Sequence, residues 1–253
     1  LDGTERFYTL GVDVGGGEVG NDFFVAVRKA DGTPETSFSG DGWATAAFDL
    51  GGRGDDFAQA VAVDRQGRVV VAGSASDGVD DLFAVARFTA AGLLDNGWSG
   101  DGRQTIDVEL GGGGLQFGGM AVDRFSRVVL AGRAPTASGS RLVVVRLTAA
   151  GALDGTFGGG DGMADFAYGA TDDISTVVDV VTLGPPSDRI AVLGDYDPAG
   201  ADPADGFLFV LTTAGDLDDS DFNHSGKRDF APPSGDPWNH AQALAVQAGR
   251  LVV

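Results

Sequence analysis

The sequence predicts an all-β fold, a β-propeller built from four-stranded blades of about 60 residues each. The main observation is a strand–turn–strand pattern, two runs rich in β-branched residues around a polar corner, that returns along the chain. Glycines close three of its copies, and Gly73, Gly132 and Gly194 lie 59 and then 62 residues apart. The copies occupy 60–73, 119–132, 177–194 and, at the end of the sequence, 243–253.

Four strands, called A to D, can be assigned to each of three consecutive units. The first unit has predicted strands at 59–64, 68–76, 82–89 and 103–110. The second has them at 119–123, 127–134, 141–148 and 163–168, and the third at 175–182, 189–196, 206–213 and 227–230. Ahead of these units, 6–14 is predicted as a strand B and 21–28 as the strand that follows it. An aromatic residue followed by glycine precedes each strand D, at 38–42, 98–102, 157–162 and, in altered form, 222–226.

Two apolar runs, 69–71 and 143–145, are continuous rather than alternating, which is typical of strands buried on both faces. Stacked blades provide that burial, whereas a single unit does not. A parallel β-helix has shorter coils than these units, and a β-sandwich needs no sequence repeat. We therefore expect one propeller region over 1–253, as part of a longer polypeptide. Its pieces are a partial blade with its connection (1–58), three blades (59–110, 111–170, 171–231) and a final partial blade (232–253).

The chain is strongly acidic. Its formal net charge is −20, and because only four of the 37 acidic residues are glutamates, 33 are aspartates. Aspartate, together with the 42 glycines, is typical of turns rather than of helices. So much negative charge repels nucleic-acid phosphates and anionic lipids, and no apolar run approaches the length of a membrane span. We therefore expect neither nucleic acid nor a membrane as a partner, and no membrane insertion.

A family resemblance rests on three segments. They are Leu94-Asp95 with Trp98 and Gly100-Asp101-Gly102, the strand–turn–strand pattern at 60–73, and the run Phe83-Ala84-Val85-Ala86-Arg87-Phe88. Together they resemble the bacterial delta-60 repeat, which is related in pattern to NHL-type propeller blades. The resemblance implies a propeller fold and an extracytoplasmic location, whether secreted, periplasmic or on the bacterial cell surface. It carries over no catalytic residue, since the motif is structural.

Three short motifs have simpler explanations than chemistry. The G-x-G-x-x-G match at 15–20 is followed by a predicted strand, whereas a dinucleotide site needs a helix N-terminus there. The Arg-Gly-Asp tripeptide at 53–55 is expected by chance in so glycine-rich and aspartate-rich a chain. The two histidines, His224 and His240, stand in no metal-ligand spacing.

Paired aspartates precede two of the predicted A strands. Asp55-Asp56 and Asp172-Asp173 hold the same place, which Leu115-Gln116 fills in the unit between. We interpret the pairs as turn residues rather than as a general acid and base. No G-x-S-x-G elbow is present, so we assign no catalytic and no cofactor-binding residue. The sequence favours a protein that is not an enzyme.

Calcium is the one cofactor for which the sequence offers candidate ligands, in the loop 194–206. Asp195 and Asp197 would ligate from one side of the loop, with Asp202 and Asp205 returning from the other. Hard carboxylate oxygens on a loop suit Ca²⁺. The competing interpretation is an ordinary stiff surface loop, because the segment also holds two prolines and several small residues.

The expected function is a non-catalytic scaffold or recognition module of a bacterial secreted or surface protein. In a propeller the D-to-A and B-to-C connections emerge on one face, and here they are the longest connections, so we expect a protein or glycan partner on this loop face. The alternative is a polysaccharide-acting enzyme, or a calcium-dependent glycan-binding propeller, with its site at the mouth of the central channel. Inverting glycosidases need two carboxylates about 6.5–9.5 Å apart, and the chain has many acids.

Overall fold

The structure is a computed structural model of the 253-residue chain. It describes residues 5–13, 21–51, 55–111, 114–168, 174–185, 187–196, 205–220, 224–230, 242–247 and 250–252. These residues form seventeen β-strands and, within the described ranges, no helix. The all-β class is therefore confirmed. In the same ranges no helix is long and apolar enough to span a membrane.

The chain divides into two compact units, and the first comprises Leu1–Val108, Arg124–Ser126 and Ala149–Ala152. It contains two antiparallel sheets, each with its strands in sequence order. Sheet 1 has three strands: β1 (Phe7–Asp13), β2 (Asp22–Arg28) and β3 (Trp43–Ala46). Sheet 2 has four: β4 (Asp56–Val63), β5 (Val69–Ser76), β6 (Asp81–Phe88) and β7 (Arg103–Ile106).

The second unit comprises Glu109–Asp123, Arg127–Thr148 and Leu153–Val253. It holds two four-stranded antiparallel sheets and a hairpin. Sheet 3 consists of β8 (Gln116–Val122), β9 (Val128–Thr136), β10 (Gly139–Leu147) and β11 (Met163–Phe166). Sheet 4 consists of β12 (Ile174–Thr182), β13 (Ile190–Tyr196), β14 (Asp205–Leu211) and β15 (Lys227–Phe230), and the hairpin of β16 (Ala245–Gln247) and β17 (Arg250–Val252).

The predicted strand–turn–strand pattern is the β4–β5 hairpin. Val63 pairs with Val69, and the Asp64 carboxylate between them accepts backbone N–H bonds from Gln66 and Arg68 at 2.9 and 3.0 Å. The short side chain thus closes the turn, as expected of aspartate. The turn after β8 is closed in the same way, with Asp123 accepting from the Arg127 N–H at 2.9 Å.

The largest differences between the predicted and the observed strand bounds are two. The fourth strand of the predicted blade 59–110 was expected to reach residue 110. The observed strand β7 ends at Ile106, because its pairing with β6 stops where Ile106 meets Phe83. The A strands begin earlier than predicted, at Asp56 and Gln116 rather than at 59 and 119. A β-bulge in each adds a residue and carries pairing beyond the alternating segment, with the register slipping at 58–60 and 117–119.

Each unit buries apolar side chains from both of its sheets in one core. In unit 1, Phe23 and Val25 of β2 pack in the same cluster as Val69 and Val71 of β5. In unit 2 the corresponding cluster joins residues of sheets 3 and 4 (among them Val129, Val144, Val192 and Phe209). Burying each such side chain contributes about 1.5–3 kcal/mol, so packing one sheet on the next supplies most of the stability of a unit.

A contact between an aromatic residue and a glycine, here called the aromatic–glycine joint, recurs within each unit. Phe38, in the connection before β3, packs on Gly92, in the turn after β6, where φ is +81° and an added Cβ would lie 3.0 Å from the Phe38 ring. The Ser39 N–H donates to the Ala91 carbonyl at 2.8 Å. The same joint forms between 98–99 and 150–151 in unit 1, and between 157–158 and 214–215 in unit 2. The aromatic residue predicted before strand D is therefore a buried packing residue.

Candidate functional site

Many of the described aspartates serve turns. Asp101 accepts a hydrogen bond from the Arg103 N–H, and Asp161 from the Met163 N–H, both at 2.9 Å and two residues on. This contact satisfies a backbone donor that the turn would otherwise leave without a partner. The same i to i+2 contact is made by Asp31, Asp41, Asp64, Asp77, Asp95, Asp154 and Asp218. Turn chemistry thus accounts for many of the described acidic residues.

Two buried arginines, which sequence reasoning missed, each hold one of these turns. Arg146 on β10 is 1% exposed and donates through Nε to Asp154 at 2.7 Å. Its other nitrogens donate to the Thr213 carbonyl at 2.5 Å and to the Thr156 hydroxyl at 3.0 Å. Arg87 on β6 makes the matching contacts in unit 1, with Asp95 and the Ala149 carbonyl, both at 2.9 Å. The signal in the sequence was an arginine standing eight residues before an aspartate in two successive units.

Asp56 is the exception among the described aspartates. It is 1% exposed, although it is the first residue of β4. Its Oδ2 accepts the N–H of Phe48 at 2.8 Å, while its Oδ1 is buried with no hydrogen-bond partner. The interpretation of Asp55-Asp56 as a turn pair is therefore wrong for Asp56, which lies in a strand and bonds a residue eight positions away. A buried oxygen without a partner is costly, and such groups occur at functional sites.

The same place in the other sheets is apolar. Asp56 pairs with Ala75 of β5, and the matching pair in sheet 4 is Ile174 with Tyr196. In sheet 3 the place belongs to Leu115, one residue before the pair of Gln116 and Arg133. Ile174 is 1% exposed and Leu115 is 6% exposed. The fold at this position accepts an apolar side chain, so a carboxyl is not needed for packing.

Other acidic side chains surround Asp56. The Asp56 N–H donates to the Asn21 carbonyl at 2.7 Å, and Asn21 in turn donates through Nδ2 to Asp55 at 3.2 Å. Burial, more than any other cause, raises the pKa of Asp56 to about 6, and the charges of Asp22, Asp49 and Asp55 add to the rise. The hydrogen bond from Phe48 opposes it. The carboxyl therefore changes its charge close to neutral pH, and we take Asp56 with these neighbours as the candidate site.

The predicted calcium ligands are described only in part. Asp195 is 3% exposed in β13, where it pairs with Gly206, and Asp205 begins β14 opposite Tyr196. The structure thus places Asp195 and Asp205 at neighbouring positions of two paired strands. Asp197 and Asp202 lie outside the described residues. Within the described ranges no three acidic or histidine side chains gather in a way that could hold a metal ion. The calcium site stays a prediction.

Most residues of the remaining motifs lie outside the described residues. His224 lies at the start of a described turn with a φ of 51°. Asp55, the last residue of the Arg-Gly-Asp tripeptide, accepts the bond from Asn21. The following all lie outside the described residues: 15–20, Arg53, Gly54, Asp172, Asp173 and His240.

Comparison with known proteins identifies no family. No family model matches the chain, and no curated protein matches it. Among the solved structures it is similar to extracellular domains 1–2 of Drosophila Semaphorin 1b, with 8% sequence identity and a TM-score of 0.33. The match covers 83% of this chain and 54% of that one, so the chain spans about half the length of the semaphorin structure. A likeness at this TM-score does not identify the fold.

Proposed function

We propose that the chain is a non-catalytic recognition scaffold, and that its sheets are blades of a β-propeller of the delta-60 type. Three antiparallel sheets of four strands each, in sequence order, support this architecture. The joint of an aromatic residue with a positive-φ glycine supports it further, because it recurs along the chain. A bacterial secreted or surface protein is the setting that the repeat pattern favours.

The observation that carries the proposal is the set of contacts that the aspartate carboxylates make. Enzymes that cleave glycosides need two carboxylates facing one substrate. Here many of the described aspartates close their own turns or pair with arginines, as Asp95 does with Arg87 at 2.9 Å. Carboxylates committed in this way stabilise loops and keep a large surface soluble. The loops that these carboxylates stabilise would then bind a protein or glycan partner.

Asp56 is the observation that favours the second candidate, a polysaccharide-acting enzyme. A raised carboxyl pKa is what a general acid needs, and Asp22, Asp49 and Asp55 lie near enough to raise it. However, a general acid must come within hydrogen-bond reach of its substrate. Asp56 is 1% exposed, so its carboxyl is out of reach of a polysaccharide in this structure. The scaffold is therefore the better supported function.

The experiment that separates the two candidates measures binding and turnover on one polysaccharide panel. Wild-type chain and Asp56→Asn are incubated with each polysaccharide, new reducing ends are measured, and retention is measured by affinity electrophoresis. The scaffold predicts no new reducing ends from either protein. It also predicts that the tagged chain, cross-linked in its native source, retains a stoichiometric protein or glycan partner. Reducing ends released by wild type but not by Asp56→Asn would overturn the proposal, as would the absence of any retained partner.

A further inference from the structure

We propose that Asn96–Gly97, in the connection between β6 and β7, is a site of covalent self-modification, at which the asparagine deamidates and the main chain is partly rebuilt as isoaspartate. Water is the only co-reactant. The proposal goes beyond the recognition function above, and its test does not depend on what the chain binds.

The reaction takes place between two neighbouring residues. The backbone nitrogen of Gly97 attacks the side-chain carbonyl carbon of Asn96, a C–N bond forms, and the nitrogen gives up its proton. The side-chain nitrogen leaves as ammonia, and a five-membered succinimide ring remains. Water then opens the ring at either carbonyl. One opening gives aspartate, and the other gives isoaspartate, in which the main chain runs through the former side chain and is one carbon longer.

Asn96 has the sequence context that this reaction favours. The chain has four asparagines, and Asn96 is the one that precedes a glycine. A side chain on the following residue would screen the attacking nitrogen, and glycine has none. Asn96 and Gly97 are also both exposed. The attacking nitrogen, the amide that leaves and the ring that water opens are therefore all within reach of solvent.

The Asn96 side chain is not held by other groups. Its backbone N–H donates to the Leu94 carbonyl at 3.1 Å, and among the described residues its side-chain amide makes no hydrogen bond. Asn21 provides the contrast, because its Nδ2 donates to the Asp55 carboxylate at 3.2 Å. The amide of Asn96 can therefore turn toward the Gly97 nitrogen, whereas that of Asn21 is engaged. Asn21 is thus an internal control for the reaction.

The proton that the Gly97 nitrogen must lose lies on a carboxylate. The Gly97 N–H donates to Oδ1 of Asp95 at 3.2 Å. Asp95 is itself fixed by Arg87, which reaches its other oxygen, Oδ2, at 2.9 Å. A carboxylate within hydrogen-bond reach of an acidic proton can accept it as a general base. The structure therefore supplies a proton acceptor at the atom where the reaction starts.

The matching turns of the other sheets carry a hydroxyl residue in the place of Gly97. Its backbone N–H donates to the carboxylate two residues earlier, as in Ser37 to Glu35, Thr156 to Asp154 and Ser220 to Asp218, at 3.1 to 3.2 Å. An added Cβ at Gly97 would meet only that carboxylate oxygen, at 3.3 Å. The turn therefore accepts a side chain at this position, and Gly97→Thr keeps the turn while it screens the nitrogen.

Isoaspartate at this position would loosen the aromatic–glycine joint of Trp98. The Trp98 N–H closes the turn on the Asp95 carbonyl at 2.8 Å, and the Trp98 side chain is 0% exposed. An added Cβ at Gly151 would lie 2.7 Å from the Trp98 ring, which shows how closely the two residues pack. An extra main-chain carbon between Asp95 and Trp98 displaces one of these contacts. Interiors packed this closely transmit such a shift, so the modified chain is less stable.

The experiment ages the folded full chain at mildly alkaline pH and follows two tryptic peptides by mass spectrometry. Peptide 88–103 has Asn96 as its one amide side chain, and peptide 7–28 has Asn21, so the mass gain of deamidation in each peptide reports on one residue. We expect Asn96 to react about tenfold faster than Asn21 or more, and Gly97→Thr to slow the reaction at Asn96 by a similar factor. Isoaspartyl methyltransferase measures the isoaspartate that forms.

A synthetic peptide with the sequence of 88–103 is the unfolded reference. Deamidation more than about tenfold slower in the folded chain than in this peptide would overturn the proposal, because a rigid turn would then protect the asparagine. Equal rates at Asn96 and Asn21 would also overturn it, as would equal rates in wild type and a folded Gly97→Thr.

Thermal melting tests the link to the joint, and it also serves if Gly97→Thr does not fold. Asn96→Gly, which introduces the residue found at the matching position 155, cannot deamidate at this site. We expect the melting temperature of wild type to fall as residue 96 is modified, and that of Asn96→Gly to stay unchanged over the same time. A fully modified wild type that melts like the fresh protein would show that the joint tolerates isoaspartate and would overturn this part of the proposal.

Discussion

Arg146 and Asp154 form an ion pair at 2.7 Å in which both side chains are almost fully buried. The guanidinium also bonds the Thr213 carbonyl and lies over the Phe157 ring, 4.7 Å from its centroid. One side chain therefore closes the connection after its own strand and reaches the turn that follows β14. Such a pair is costly to break from one side, since the remaining carboxylate stays buried.

We expect Arg146→Met to lower the free energy of unfolding by about 3–5 kcal/mol, because the Asp154 Oδ2 and the Thr213 carbonyl lose their arginine donor. The matched control is Arg141→Met on the same strand. Arg141 pairs with Asp165 at the surface, where both side chains are about one-third exposed, so its loss should cost about 0–1 kcal/mol. Urea denaturation of the three proteins measures the difference. Equal midpoints for the two variants would contradict the importance of the buried pair.

Gly92 offers a test of the aromatic–glycine joint with an unusually close control. Gly92→Ala places a methyl group 2.5 Å from the Ser39 nitrogen, whereas the equivalent Gly32, with φ of +84° against +81°, has nothing within 4 Å. Both variants bear the cost of a positive φ, about 1–2 kcal/mol. We expect Gly92→Ala to lose about 1–3 kcal/mol more, from overpacking. Thermal or urea unfolding compares the two, and equal losses would show that the joint tolerates a side chain.

Trp98 is the aromatic residue of its joint, as Phe38 and Phe157 are of theirs. Its buried Nε1 has no hydrogen-bond partner. Trp98→Phe removes that unsatisfied donor at the expense of some packing, so we expect a change within about 1 kcal/mol. Trp98→Ala should cost about 3–5 kcal/mol. Calorimetry gives both values. A loss above about 3 kcal/mol for Trp98→Phe would indicate that the indole N–H has a partner in solution.

Asp56 should make stability fall as the pH rises from about 4 to about 6. Its pKa is about 6 in the folded chain against an ordinary 3.8, so over this range the folded state keeps a proton that the unfolded state has lost. Asp56→Asn resembles the protonated form. We expect it to exceed the wild type by about 1–3 kcal/mol at pH 7.5 and to match it near pH 4.

Other carboxylates act in the opposite direction. Hydrogen bonds hold the pKa of Asp31 and Asp77 below the ordinary value, so the stability these groups contribute is lost as the pH falls. The pH dependence of Asp56 is therefore measured as the difference between wild type and Asp56→Asn in urea denaturation from pH 4 to 8. A difference independent of pH would contradict the raised pKa of Asp56.

Calcium provides a further prediction, from the sequence of 194–206. A site with a dissociation constant near ~0.1 mM would gain about 2.7 kcal/mol at ~10 mM Ca²⁺. For a domain of this size the melting temperature would rise by roughly 5–10 °C. Mg²⁺ at the same concentration controls for screening of the acidic surface. Equal shifts with both ions, together with an unchanged response in Asp197→Asn, would identify an ordinary loop.

The strands were predictable from sequence because β-branched runs and aspartate–glycine corners are local signals. Asp64 and Gly67 indicate a turn regardless of how the flanking strands pair with the rest of the chain. What sequence could not show depends on pairing across strands. The role of Arg146 requires that β10 and the turn after β14 come together. From the sequence alone, Asp56 was interpreted as half of a turn pair. Its pairing with Ala75 shows that it lies in a sheet, at a position that is apolar in sheets 3 and 4.

The aromatic–glycine joint has a consequence for how such chains change in length. Each joint places a ring against a glycine 53 to 58 residues further along the chain, as Phe38 and Gly92 do. A duplication or deletion of one whole segment of about this length would therefore keep a ring opposite a glycine turn. Such a change in length would need no new interface, whereas a partial duplication would separate a ring from its glycine.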